Sequence, residues 1–243
     1  MSGHSKWSTI KRQKQVTDAK RGQLFTKLSR AITLAVKESG GVTDETSNFK
    51  LRIAVEQAKS FNMPKENIKR AVERGAGSPD ENNALEHAVY EGFGPGGVAL
   101  LIEAVTDNKQ RTSAQIKHVF DRFGGSLGNP GSVSYLFDQQ GVIVAEAGGQ
   151  GEEELLQVAI EAGATDMESG SEGTIEFYTS RERLHAVKEA LEKNNIRVRE
   201  SALIYRPKST ILTEEGTAGK LTTCIDQLAE LEDVQEVYTN RAE

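Results

Sequence analysis

The spacing of apolar residues changes near residue 77, so one repeating architecture cannot serve the whole chain. From Asp18 onward, Leu24, Phe25, Leu28, Ala31, Ile32, Ala35 and Val36 recur at helical spacing, and Gly40 and Gly41 stop that helix. A second helix starts near Ser47 or Asn48, with Leu51, Ala54, Val55, Ala58 and Phe61 on one face. The stretch "NMPKEN" then puts Pro64 at the first helical position of a third, which ends at Gly75. Three short helices, each with one apolar side, predict a small bundle whose outer surface carries Lys59, Lys65, Lys69, Arg70 and Arg74.

Beyond that point the period shortens. Around "EGFGPGGVALLIEAV" two strand-like runs flank a Gly/Pro turn, and "RTSAQIKHVFDRFGG" follows with Ile116, Val119, Phe120 and Phe123 on one helical face. Next come the strand "GVIVAEA", a helix over 152–163, strands near 164–169 and 174–179, a helix over 181–194 and a strand over 196–204. The order strand-helix-strand-strand-helix-strand predicts a ferredoxin-like domain. A last helix, with Leu221, Cys224, Ile225, Leu228 and Leu231, and a strand near "QEVYTN" are left to complete the domain begun near residue 80. The expected fold is therefore α+β and multidomain. It has a three-helix N-terminal domain over 1–77, a discontinuous α/β domain over 78–137 and 206–243, and a ferredoxin-like α/β domain inserted at 138–205.

At 243 residues and 37% hydrophobic content the chain can bury more than one core. It lacks the run of about 18 apolar residues that spans a bilayer, and its basic start lacks the apolar stretch of a secretory signal. A soluble, cytoplasmic protein is expected, with no membrane partner. Its one cysteine, Cys224, excludes an internal disulfide and a multi-cysteine metal site. The net charge of −6 conceals a strong asymmetry. Residues 1–77 hold 16 Lys and Arg against 7 Asp and Glu, a charge of +9, and the remainder holds 14 against 29, a charge of −15. Such a split points to a polyanion-facing segment joined to a body that avoids polyanions.

Signals for catalysis are weak. The glycine-rich stretches "EGFGPGG" and "FGGSLGNPGS" have neither the GK[ST] ending of a phosphate loop nor a GxGxxG opening a helix after a strand, and read as turns. The histidines at 4, 87, 118 and 185 show no metal-ligand spacing, and Cys224 lies in an apolar helical stripe where it packs. The acids at 152–154 sit where a helix N-terminus favours negative charge. No catalytic residue, metal, cofactor or small-molecule substrate is predicted.

The basic start of the chain is more informative. Lys6, Lys11, Arg12, Lys14, Lys20, Arg21, Lys27 and Arg30 face a single acid, Asp18, within the first 30 residues. Trp7, the only tryptophan, offers a face for base stacking or packs against the bundle. Polyanion binding is the natural use of this segment, with a merely solvated basic tail as the bland alternative.

"GHSKW", "DAKRGQLFTKLSR", "NMPKENIKRA", "YEGFGPGGVALLIEAVTDNKQRT" and "GSVSYLF" resemble the YebC family, and the match runs to "DVQEVY" near the end. The resemblance implies a helical N-terminal domain plus two α/β domains, one discontinuous. It also implies a probable transcriptional regulator that binds DNA or RNA and is not an enzyme. Because the family includes the mitochondrial translational activator of cytochrome c oxidase, and a role in helping difficult peptide bonds form is attributed to bacterial members, the alternative it implies is a ribosome-associated translation factor contacting ribosomal RNA. His4, Ser5, Lys6 and Trp7 match the family opening, and Asp18, Ala19, Lys20, Arg21, Gly22, Phe25, Thr26 and Lys27 match its helical motif. These positions are assigned to nucleic-acid contact or its support. Where the family often has "HRK", this chain has Arg12, Gln13 and Lys14, so the positive charge is partly kept and the histidine is not. "TDNKQRT" places Asn108 and Arg111 before a helix, where they bind phosphate or a partner, or cap the helix.

Overall fold

The computed structural model describes residues 18–77, 85–146, 152–170 and 173–242. The described residues of Thr17–Phe137 and Pro207–Arg241 form one compact unit, and those of Asp138–Arg206 form a second. No described helix is long and apolar enough to cross a membrane.

The first unit opens with α1 (Asp18–Glu38), α2 (Phe49–Ser60) and α3 (Lys65–Ala76), with α1 packed against both of the others. Gly40 and Gly41 adopt φ of 72° and 88°, left-handed backbone that ends α1. Asn48 starts α2: its side-chain oxygen accepts from the Leu51 amide at 3.1 Å. Its amide group donates to the carbonyls of Ala35 and Val42. One buried side chain thus satisfies backbone groups of two helices and the loop between them.

Gly75 does not end α3; the helix runs through Ala76 and is capped by Gly77. Gly75 is there because a Cβ at this position would meet the Thr33 carbonyl oxygen at 2.6 Å and Val36 Cβ at 2.7 Å, so the missing side chain lets α3 approach α1. Pro64 likewise stands one residue before the helix, which begins at Lys65.

The chain continues through β1 (Glu86–Phe93), β2 (Ala99–Thr106), α4 (Lys109–Phe123) and β3 (Ser126–Leu127). It then forms β4 (Phe137–Glu146), α5 (Glu152–Ala162), β5 (Ala164–Ser169), β6 (Thr174–Thr179), α6 (Leu184–Lys193) and β7 (Val198–Pro207). It closes with α7 (Glu215–Glu230) and β8 (Val234–Thr239). In the first unit the sheet order is β3-β1-β2-β8, so the last strand pairs with β2 and closes the discontinuous α/β part. Val98, Leu100 and Ile102 point to one face and build a core with Ile116 and Phe120 of α4 and Leu221, Cys224 and Leu228 of α7. Alternate residues of β2, including Leu101 and Val105, point to the other face and are also buried.

There α1 lies against β2 and β8. This explains why Ile32, Thr33, Leu34, Ala35 and Val36 are all buried in succession: α1 has partners on both sides, where its apolar stripe predicted one.

In the second unit the sheet order is β5-β6-β4-β7, with the strand-helix-strand-strand-helix-strand succession of a ferredoxin-like fold. Gly141 on β4 sits under Leu184 of α6, where a Cβ would come within 2.9 Å of the leucine. On β6, Tyr178 donates to Glu176 at 2.9 Å, and the Arg206 guanidinium lies 3.9 Å over its ring.

Candidate nucleic-acid interface

The first turns of a helix built from "KENIKRAVERGA" must divide their charge by angle. Ile68, Ala71 and Gly75 occupy the buried side of α3. At 100° per residue this puts Lys65 and Lys69 along one exposed edge and Arg70 and Arg74 along the other, with Glu66 and Glu73 between them. All six are exposed. Lys69 lies 3.9 Å from Glu73, an exposed pair of small energetic weight. Lys59, at the end of α2, is exposed as well, 3.4 Å from Glu45. The outer surface of the bundle therefore carries the five cations expected of it, the four of α3 arranged as two rails with an acidic strip between.

Of the residues assigned from sequence, His4, Lys6, Trp7, Lys11, Arg12 and Lys14 lie outside the described residues, and Lys20 falls in the first turn of α1. Arg21 is exposed one residue further on. Lys27 and Arg30 are engaged within the chain. Lys27 Nζ donates to the Ala229 carbonyl at the end of α7, 2.5 Å away. Burial pulls its ammonium down to about 8 against the raising effect of Glu236 and Glu230. Arg30 donates to Asp233 and, at 2.6 Å, to Glu232.

Asp233 also gathers the other pair. Arg111 Nη2 lies 2.8 Å from its Oδ2 and 2.7 Å from Asp107. Thr112 and Thr106 donate to the same Oδ2 at 2.6 and 3.2 Å. Asn108 caps α4, its side-chain oxygen accepting from the Arg111 amide at 3.0 Å. Burial alone would raise the Asp233 carboxyl, but donation from Thr112, Arg111 and Arg30 outweighs it and holds the group at about 2. Lys27, Arg30 and Arg111 thus meet in a polar joint between the helical bundle and the sheet, with Asn108 capping α4 beside it; Asn108 and Arg111 are exposed, as are Arg21 and the rails of α3.

The glycine-rich stretches are turns. Gly96 and Gly97 take φ of 76° and 72° in the β1–β2 hairpin. In the second stretch the amides of Gly131, Val133 and Ser134 converge at 2.7–2.8 Å on the carboxylate of Glu91, a buried β1 residue that sequence reading passed over. Burial raises the Glu91 carboxyl and the three amides lower it further than that, so it ends below its usual range. Among the described residues no group of three or more His, Cys, Asp or Glu is placed to hold a metal ion. Cys224 is a free, buried thiol that burial pushes up to about 11.

Residues 5–78 match the family model described as the TACO1/YebC protein N-terminal domain, and residues 85–241 match that of the TACO1/YebC second and third domain. The chain belongs to the TACO1/YebC family. A Rubrobacter xylanophilus protein named "Probable transcriptional regulatory protein" is 48% identical over 240 residues, spanning 99% of this chain and 95% of that one. A similarly named Caldanaerobacter subterraneus protein is 47% identical over 241 residues, spanning 99% and 98%. The crystal structure of a conserved hypothetical protein from Aquifex aeolicus superposes with a TM-score of 0.83 at 44% identity, covering 92% of this chain and 91% of that one. In this TACO1/YebC chain the region matching the N-terminal domain model holds both the basic start and the rails of α3.

Proposed function

We propose that this protein is a non-enzymatic, cytoplasmic regulator of gene expression that grips nucleic acid with its basic N-terminal domain. The observation that carries the reading is the separation of cations into two groups. Lys27, Arg30 and Arg111 are held by hydrogen bonds and ion pairs at the joint with the α/β part, whereas Lys65, Lys69, Arg70 and Arg74 lie exposed along α3, in the same N-terminal stretch of sequence as the acid-free charge of Lys6, Lys11, Arg12 and Lys14. Phosphate contact is the work such a surface does. The names of the relatives support a transcriptional role.

A translational role is the second reading, with ribosomal RNA as the partner and difficult peptide-bond formation as the step assisted. It is favoured by the sequence, in which neither zipper heptads nor a clear helix-turn-helix signature stands out. The domain of charge +9 beside a body of −15 also suits a crowded RNA site with basic protein neighbours.

The test is a salt titration of the full chain with single-stranded RNA and with duplex DNA. Affinity should fall with a log-log slope of roughly −0.7 to −0.9 per phosphate contacted. Flat salt dependence with both partners sinks the reading. Tighter, sequence-selective binding to a duplex decides for transcription, and tighter binding to RNA for translation.

A further inference from the structure

Both faces of the sheet in the second unit are buried, and the unit has helices for only one of them. Gly141, Ile143 and Ala145 of β4 and their register partners Thr179, Phe177 and Ile175 of β6 point to the face that carries α6, whose Leu184 lies over Gly141. α5 packs against α6 and shares its side, as the ferredoxin-like succession requires. The intervening residues, Val142 and Val144 with their partners Tyr178 and Glu176, point the other way. An antiparallel sheet with helices on one side commonly leaves that second face to water. Here Val142 and Val144 are fully buried, Tyr178 is 2% exposed and Glu176 is 1% exposed. With both helices on the opposite side, none of the described elements from β4 to β7 is left to cover them. A third layer from outside those elements lies on this face.

The chemistry of the face sets what that layer must bring. Two valines and a tyrosine ring ask for apolar contact. A carboxylate as deeply buried as Glu176 is tolerated when a positive charge stands by it, and the Tyr178 hydroxyl, at 2.9 Å, is a neutral donor. Arg206 lies over the Tyr178 ring and is shared with Glu168 and, at 2.8 Å, with Asp166. Asp166 and Glu168 stand opposite Tyr178 and Glu176 in register, and Glu146 opposite Thr174, so acids line the rim as well. Arg197 and Arg199 answer Glu146. The fitting occupant is apolar and cationic together. The sequence ahead of α1 has that make-up: Trp7, Ile10 and Val16 alternate with Lys6, Lys11, Arg12 and Lys14, and no acid precedes Asp18. Extended, sixteen residues reach about 55 Å, longer than any strand of this sheet.

We propose that residues 1–16 are this third layer, laid across the open face of the ferredoxin-like sheet with Lys and Arg set against Glu176 and the acidic rim. The basic segment is then held by the protein's own carboxylates until a polyanion takes it, and phosphate competes with the sheet for the same cations. The docking stands on the sheet alone, whereas the competition rests on the nucleic-acid reading above. While the segment is held, the apparent affinity for nucleic acid is reduced by the fraction of molecules in which it is free.

The experiment is carbodiimide cross-linking of the dilute full chain, which joins an amine to a carboxylate only where the two touch, followed by mapping of the linked peptides. The expected links are intramolecular, from Lys6, Lys11 or Lys14 to Glu146, Asp166 or Glu168, whose side chains are part-exposed, and excess single-stranded RNA should abolish them. Asp166→Asn combined with Glu168→Gln should weaken the links and raise RNA affinity about threefold or more, a gain that disappears when Lys11, Arg12 and Lys14 are also changed to Ala. Absence of links from residues 1–16, links that reach only acids outside this sheet, or links that join two copies each overturn the docking. Rim links that persist unchanged under saturating RNA overturn the competition. Rim links in a chain that binds no RNA uphold the docking while the nucleic-acid reading falls.

Discussion

Arg30, midway along α1, and Asp233, just before β8, form an ion pair across 203 residues of sequence, with the carboxylate 3% exposed and the guanidinium side chain 17%. The pair fixes the helical bundle to the sheet, and its energetics follow from burial. Asp233→Asn would keep the shape but remove the buried charge that the partly buried Arg30 meets, leaving Arg30 to the exposed Glu232 and the exposed Arg111 to Asp107. Breaking a buried pair in this way costs about 3 kcal/mol, to be read as a lower midpoint in denaturant melts.

The same carboxylate sets an acid limit. Its folded pKa of about 2 lies below the ordinary aspartate value of 3.8, so the folded state binds this proton less readily than the unfolded chain does. The stabilisation is complete above the unfolded pKa and is lost as pH falls through the folded one. Integrated over the shift it is on the order of 2 kcal/mol, and it should be missing from the acid limb of the stability curve of Asp233→Asn.

Two glycines should respond to alanine with opposite signs. At Gly75 the new methyl would meet the Thr33 backbone, which cannot swing away, and a loss of roughly 1–3 kcal/mol is expected from forcing α3 off α1. At Gly22, inside α1, a Cβ meets nothing within 4 Å. There the gain in helix propensity should stabilise the protein by roughly 0.5–1 kcal/mol. Thermal melts of the two single variants check both.

Charge removal should separate the two groups of cations. Lys65, Lys69, Arg70 and Arg74 changed together to Ala should weaken nucleic-acid binding, flatten the salt slope and leave the melting temperature nearly unchanged, because the side chains are exposed. Arg30→Ala should instead lower the melting temperature, and its folded fraction should bind with the original salt slope. Trp7, as the only tryptophan, reports on the tail: quenching by RNA at lower concentration than by DNA is the expected result, and Trp7→Ala should cost roughly tenfold or more in affinity if the ring stacks on a base.

The order of elements was legible because periodicity is local. "VALLIEAV" and "QIKHVFDRF" announce a strand and a helix without reference to any distant residue, and the ferredoxin-like succession follows from reading such stretches in turn. Gly75 misled because glycine both ends helices and lets them approach, and only the position of Thr33 on another helix distinguishes the two. The cations of the polar joint had the same problem on a larger scale. Lys27, Arg30 and Arg111 advertise charge, but apart from Asp107 beside Arg111 the groups shown engaging them, Ala229, Glu232 and Asp233, lie far along the chain. The one local hint was Asp233 itself, an acid set between apolar Leu231 and Val234 in a segment that must turn from helix to strand. The exposed rails of α3, by contrast, could be placed from helical angles alone.

The Glu91 carboxylate is an anion the protein supplies to its own loop. Remove it, as in Glu91→Ala, and three converging amides are left with a vacancy the size of a carboxylate, so acetate or formate in the buffer should restore lost stability in a concentration-dependent way that chloride does not reproduce. A glycine-rich loop of this kind is a receptor that folding has already filled, and its occupant is encoded forty residues upstream of the Gly131 amide that receives it.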